Sequence, residues 1–112
     1  MKRSEILEVM RQIKLLLERH RVKFWAKEFN YLEEDLKNAY ASGSNNRKRE
    51  GLEQILKIFG GMGSFSDLYI NEAAGHEISP DEQTSVNQEL DKLKSQLYLL
   101  VQEERTELNT GE

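Results

Sequence analysis

Apolar residues recur at three- and four-residue spacing in four separate stretches, and this restricts the fold of the 112-residue chain more than any other feature. In the first, Ile6, Val9, Met10, Ile13, Leu16 and Leu17 lay a stripe along one helical face. Ser4 stands where it can cap that helix, and Glu5 and Glu8 suit its positive N-terminal end. The polar break Glu18-Arg19-His20-Arg21 holds the turn into a second helix, with a stripe of Trp25, Phe29, Leu32, Leu36 and Ala39 or Tyr40. Residues 41–46 read as a surface loop. A third helix is expected from near Asn46 to Phe59, burying Leu52, Ile55, Leu56 and Phe59. Ser79-Pro80-Asp81-Glu82 predicts the start of a fourth, with a hydroxyl N-cap, proline at the first helical position and Glu82 completing a capping box. Its stripe is Val86, Leu90, Leu93, Leu97, Leu100 and Val101, and it should end between Glu104 and Glu107. The expected architecture is all-α: one four-helix bundle-like domain over 1–112, ordered from about 4 to 106, with an acidic tail at 107–112.

One connection departs from this regularity. Three of the seven glycines, Gly60, Gly61 and Gly63, fall within four residues between helices three and four. Glycine lets a backbone pass where no side chain would fit. Gly60 lies where a left-handed helix cap is expected, and Gly61 and Gly63 permit tight turns beyond it. Met62 and Phe65 are then expected to tuck beside the bundle, with Ser64 or Asp67 holding nearby amides. Phe65, Leu68, Tyr69 and Ile70 form a short apolar segment, either extended or one irregular helical turn. A polar loop, Asn71 to Glu77, follows, anchored at its far end by Ile78. Long ordered connections in compact domains are often functional or packed as their own unit.

A net charge of −4 argues against general nucleic-acid binding, which needs a surplus of lysine and arginine. It is compatible with a protein partner that has a basic surface. The absence of cysteine removes disulfide frameworks and thiolate zinc sites. Charges at Glu5, Glu8 and Arg11 interrupt the first apolar stretch, so it does not read as a secretory signal. No run approaches the roughly 20 apolar residues of a membrane span. A cytoplasmic location without membrane contact is therefore expected.

The candidate chemistry is sparse. His20 and His76 are far apart in the chain and lack metal-ligand partners at helical spacing, although Glu72 precedes His76 by four. Ser64, Ser66, Asp67 and His76 contain the groups of a nucleophilic constellation, but Ser-x-Asp in a turn more often caps backbone. The glycine run lacks the preceding strand, the lysine and the following helix of a phosphate loop. Basic clusters at Arg19, Arg21 and Lys23 and at Arg47, Lys48 and Arg49 suit solvated helix ends. Acids at Glu33, Glu34 and Asp35 and at Glu103 and Glu104 point different ways around a helix and suit a solvated face. No catalytic residue, metal site or cofactor is expected.

Trp25-Ala26, the block Ile58-Phe59-Gly60-Gly61-Met62-Gly63-Ser64-Phe65-Ser66-Asp67-Leu68, Ile78-Ser79-Pro80-Asp81-Glu82 and Leu97-Tyr98 occur in an order with a parallel elsewhere. It resembles an uncharacterised bacterial family of small helical proteins, carrying Trp-Ala before Phe/Tyr-Gly-Gly-Met-Gly-Ser-Phe/Leu-Asn-Asp-Leu. The likeness covers roughly residues 6–101, and Ser66 stands where asparagine is expected. The family has no established activity, so the resemblance implies a source and a fold. Small helical proteins of this kind often resemble immunity proteins, which bind and neutralise a toxin. A non-catalytic toxin-binding role is thus the leading expectation, with Glu33, Glu34, Asp35, Asn71, Glu72, His76 and Glu77 as the partner surface. Trp25, Gly60, Gly61, Met62, Gly63, Ser64, Phe65, Asp67 and Leu68 form the structural motif. The alternatives are a helical adaptor or oligomerisation module, and a small-ligand or catalytic site at the glycine loop with Asp67 and His76.

Overall fold

The computed structural model describes residues 2–61 and 63–110, with the backbone alone at Lys2 and Thr110. Four helices account for most of this stretch: α1 (Lys2–Arg19), α2 (Lys23–Ser42), α3 (Asn45–Lys57) and α4 (Gln83–Thr110). Their apolar stripes meet in one cluster. Ile6, Met10, Ile13 and Leu17 of α1, Phe29 and Leu36 of α2, Leu52 and Ile55 of α3, and Leu90 and Leu97 of α4 are all fully buried. The all-α bundle expected from periodicity is therefore the observed fold, with no strand among the described residues.

The helices pack in a ring, α1 against α2, α2 against α3, α3 against α4 and α4 back against α1. At one end the start of α1 meets the far part of α4 through Arg3 and Glu104, 3.6 Å apart. Arg49, near the start of α3, donates to the Leu108 carbonyl at that same end, 3.1 Å away. These contacts set the direction of each helix as up, down, up, down. The connection from α3 to α4 consequently lies at the opposite end, beside the turn between α1 and α2.

Several boundaries differ from expectation, each for a local reason. Ser4 lies inside α1 rather than at its cap. The loop expected over 41–46 shrinks to Gly43 and Ser44. Gly43 takes a left-handed φ of 72°, and Ser44 Oγ accepts the Arg47 amide at 3.3 Å to start α3. At the other end, α3 stops at Lys57, and Ile58 closes it in right-handed geometry. Gly60 is not the left-handed cap; the positive φ angles belong to Gly61 (87°) and Gly63 (75°). Leu56 and Phe59 are partly rather than fully buried.

Only half of the box before α4 forms. Glu82 Oε1 accepts the Ser79 amide at 3.1 Å, and the helix begins at Gln83 after a turn. Helix α4 continues to Thr110, past the tail expected from 107, because Leu108 packs on the core.

Helix α3 has 13 residues where α1 and α2 have 18 and 20. The following connection completes the fourth wall of the bundle above it. It forms no strand: Phe65–Asp67 and Glu72–Ala74 are single 3-10 turns. Phe65, Ile70 and Ile78 drop into the core from it. Phe65 stacks against Trp25, Phe29 and Phe59 with ring centroids 5.3, 4.7 and 5.7 Å away.

Candidate protein-binding corner

Residues 63–79 carry most of their own polar groups on named partners. Asp67 Oδ2 accepts the Gly63 amide at 2.9 Å, as expected of that aspartate. Ser66 Oγ donates to the Phe59 carbonyl at 2.8 Å and lies 2.8 Å from Ser64 Oγ. The hydroxyls and carboxylate that could have formed a nucleophilic constellation are thus engaged in holding the loop. His76 is turned to other work: its Nδ1 accepts the Asn71 amide at 3.0 Å. Met62 lies outside the described residues.

Helix α4 fastens this segment with two side chains that periodicity did not single out. Asn87 is buried, and its carboxamide accepts the Ile70 amide at 2.7 Å and donates to the Ile70 carbonyl at 2.8 Å. Lys94 Nζ donates to the Ser66 and Leu68 carbonyls at 3.3 and 2.7 Å. Burial lowers the Lys94 pKa, opposed by Asp91 and Asp67. Asn87 and Lys94 sit seven residues apart beside the α4 stripe, which is the one signal for them. Their partners, backbone groups on a loop, leave no mark in a sequence.

The turn between α1 and α2 provides the second attachment. Helix α1 ends in a Schellman arrangement, with Val22 N–H to Leu17 O at 2.9 Å and Arg21 N–H to Glu18 O at 3.2 Å. Arg21 occupies the left-handed position, φ 56°, where glycine is usual. His20 is 3% exposed, and its Nδ1 lies 2.8 Å from the Glu77 carbonyl while the Glu77 amide donates to His20 O at 2.8 Å. A carbonyl only accepts, so Nδ1 carries a proton. Nε2 is buried and has no hydrogen-bond partner among the described residues. Arg21 Nε also reaches Glu77 Oε2 at 2.8 Å.

Two recesses flank His76 at this corner. One, about 580 Å³, is walled by Phe24, Trp25, Leu68 and Tyr69 with Arg21 and Lys23. Phe24 and Tyr69 are large side chains left 67% and 50% exposed. The other, about 510 Å³, is lined by Arg19, His20, Glu72, Glu77, Ser79 and Glu82. Burial, and secondarily the charge of His20, lower the His76 pKa.

Of the expected partner surface, Asn71, Glu72, His76 and Glu77 are brought to this corner. Neither recess is lined by Glu33, Glu34 or Asp35. Glu33 is not a surface acid at all: it is 3% exposed and bonds Lys14 Nζ at 2.7 Å. It lies four after Phe29 and three before Leu36, on the inner face of α2. Asp35 faces Arg47 at 3.8 Å, and Glu34 remains exposed near Lys37.

A family model, a domain of unknown function (DUF6966), matches residues 18–79. The chain belongs to this family. The DUF6966 stretch runs from the last turn of α1 through the connection as far as Ser79, and it omits α4, which supplies Asn87 and Lys94. No curated protein and no solved structure matches the chain. Among the described residues, no three His, Cys, Asp or Glu side chains are placed to hold a metal ion. No helix among them is long and apolar enough to cross a membrane.

Proposed function

We propose that this protein is a non-catalytic binding protein that neutralises a partner toxin by docking on it through the corner. The observation that carries the reading is the exposure of Phe24 and Tyr69 around a recess that also holds Trp25 and Arg21. Aromatic side chains and arginine dominate binding energy at protein interfaces, above all where they are held in place beforehand. Here Phe24 leads an α-helix and packs edge-on against Trp25 at 5.1 Å. Tyr69 precedes Ile70, whose two backbone groups are clamped by Asn87. Ordering costs on binding are therefore small. The immunity-type resemblance supplies the toxin as the class of partner, and the net charge of −4 favours one with a basic surface.

The test is capture of the tagged chain from its source cells, beside the variant Phe24→Ala/Tyr69→Ala. One stoichiometric partner is expected, lost with the variant and harmful to cells when produced alone. Recovery of self-associated chain only, or a partner retained by the variant at full affinity, would contradict the proposal.

A further inference from the structure

We infer that His76 is an acid-sensitive latch on the docking corner: its neutral ring closes the turn 71–76, and protonation opens that turn and releases the partner. This rests on the reading of the corner as a protein-docking site and names how that site is regulated.

The latch is read from hydrogen-bond roles. The Asn71 N–H can only donate, and it meets His76 Nδ1 at 3.0 Å, so this nitrogen is unprotonated and the ring is neutral. The His76 N–H returns the bond, donating to the Asn71 carbonyl at 3.3 Å. Between the two, Asn71 Oδ1 accepts the Ala74 amide at 2.9 Å, and Gly75 turns the chain with φ 88°. Asn71 Nδ2 donates backward to the Tyr69 carbonyl at 3.0 Å. One ring nitrogen therefore closes a turn whose first residue also holds Tyr69.

An imidazolium carries a proton on both nitrogens. Nδ1–H would then face the Asn71 N–H, two donors with no acceptor between them, and one must leave. The opening is local, because Asn87 still clamps Ile70 before the turn and His20 holds Glu77 after it. The His20 bond survives acid, since Nδ1–H donates to the Glu77 carbonyl whether that ring is neutral or charged. What moves is Ala74, Gly75 and His76, which line the aromatic recess with Phe24, Trp25 and Tyr69.

The charges around His76 come from every side of the corner. Arg19 and His20 end α1, and Arg21 and Lys23 lead into α2. Asp67 and Glu72 belong to the two 3-10 turns, and Glu77 and Glu82 precede α4. Asp67, Glu77 and Glu82 are bonded to the Gly63 amide, Arg21 and the Ser79 amide. His76 is partly exposed, so a proton reaches it from solvent. Burial, and after it His20, lower its pKa, so the latch stays shut at neutral pH and opens below about pH 6.5. The new positive charge also repels a partner with a basic surface.

Two measurements on the full chain test the latch. In the first, nuclear magnetic resonance follows the His76 ring and the Asn71 and Ala74 amides from about pH 8 to about pH 5. The ring is expected to titrate below about pH 6.5, with both amides shifting at the same midpoint. Amides that stay in place would overturn the latch. In the second, the probe is a histidine-free peptide selected from a random library at about pH 7.5, whose binding is lost with Phe24→Ala/Tyr69→Ala. Trp25 is the only tryptophan and lines the aromatic recess, so its fluorescence reports binding. Affinity should fall about three- to tenfold between about pH 7.5 and about pH 5.5, the equilibrium worth of one hydrogen bond. His76→Gln, whose side-chain carbonyl accepts the Asn71 amide at either pH, should bind the peptide and lose that dependence. Equal affinity at both pH values, or the same fall in His76→Gln, would overturn the release and leave docking standing. Failure to select any such peptide, with the amides still moving, removes the docking role and the release with it.

Discussion

Asn87 holds both backbone groups of a residue 17 positions earlier, from within a helix whose buried apolar residues are leucine and valine. Asn87→Ala leaves a buried amide and a buried carbonyl at Ile70 without partners. It should cost about 3 kcal/mol in urea denaturation, at one to three per orphaned group less partial hydration. Lys94→Met should cost about 1 to 3 kcal/mol, since it frees the Ser66 and Leu68 carbonyls from a charged donor.

His76 supplies a pH signature. Its folded pKa is lowered, chiefly by burial and further by His20. A histidine with a depressed folded pKa favours the folded chain fully above its unfolded value, about 6.5. That contribution disappears as pH falls through the folded value, because Nδ1 must then carry a proton toward the Asn71 N–H. Melting temperatures compared above and below about pH 6.5 should fall more for the native chain than for His76→Gln.

Glu33 was readable in part, since its place between Phe29 and Leu36 turns it inward. Its partner Lys14, on another helix, was not. The same holds for His20: nothing in the turn Glu18-Arg19-His20-Arg21 announces a carbonyl 57 residues away.

At the scale of elements, periodicity reports any segment that repeats against one core face. The four stripes met that condition, and each formed a helix, with ends displaced by a few residues from those expected. The connection does not repeat. Phe65, Ile70 and Ile78 enter the core singly, spaced by two 3-10 turns, so composition marked the segment without giving its shape.

The glycine run also changes meaning. A Cβ at Gly61 or Gly63 would meet nothing within 4 Å, so close approach is not what demands glycine there. The demand is the left-handed φ at each. Gly61→Ala should therefore cost about 1 to 2 kcal/mol, the penalty of that conformation, and leave the chain folded. Gly60→Ala should cost less, because Gly60 has no positive φ and its Cβ would lie 3.9 Å from Lys57 O. Denaturation of both variants checks the order. Close packing matters instead at Gly51, where a Cβ would come within 3.1 Å of Leu36 Cδ1 and α3 lies tight on α2.

Across the whole molecule, a short third helix leaves one end of the bundle to be finished by the connection. Finishing it also builds the corner. Core residues point inward from the same segment that displays Tyr69, Glu72 and His76 outward, so the surface inherits the order of the core. Docking through the corner requires this segment to be set before any partner arrives. Amide hydrogen exchange at Ile70 and Glu77 in the free protein tests that most directly, since their N–H groups are donated to Asn87 and to His20 O. Both should exchange through opening nearly as costly as that of the core helices. Exchange at the rate of an unstructured chain at these two amides would contradict a preformed corner.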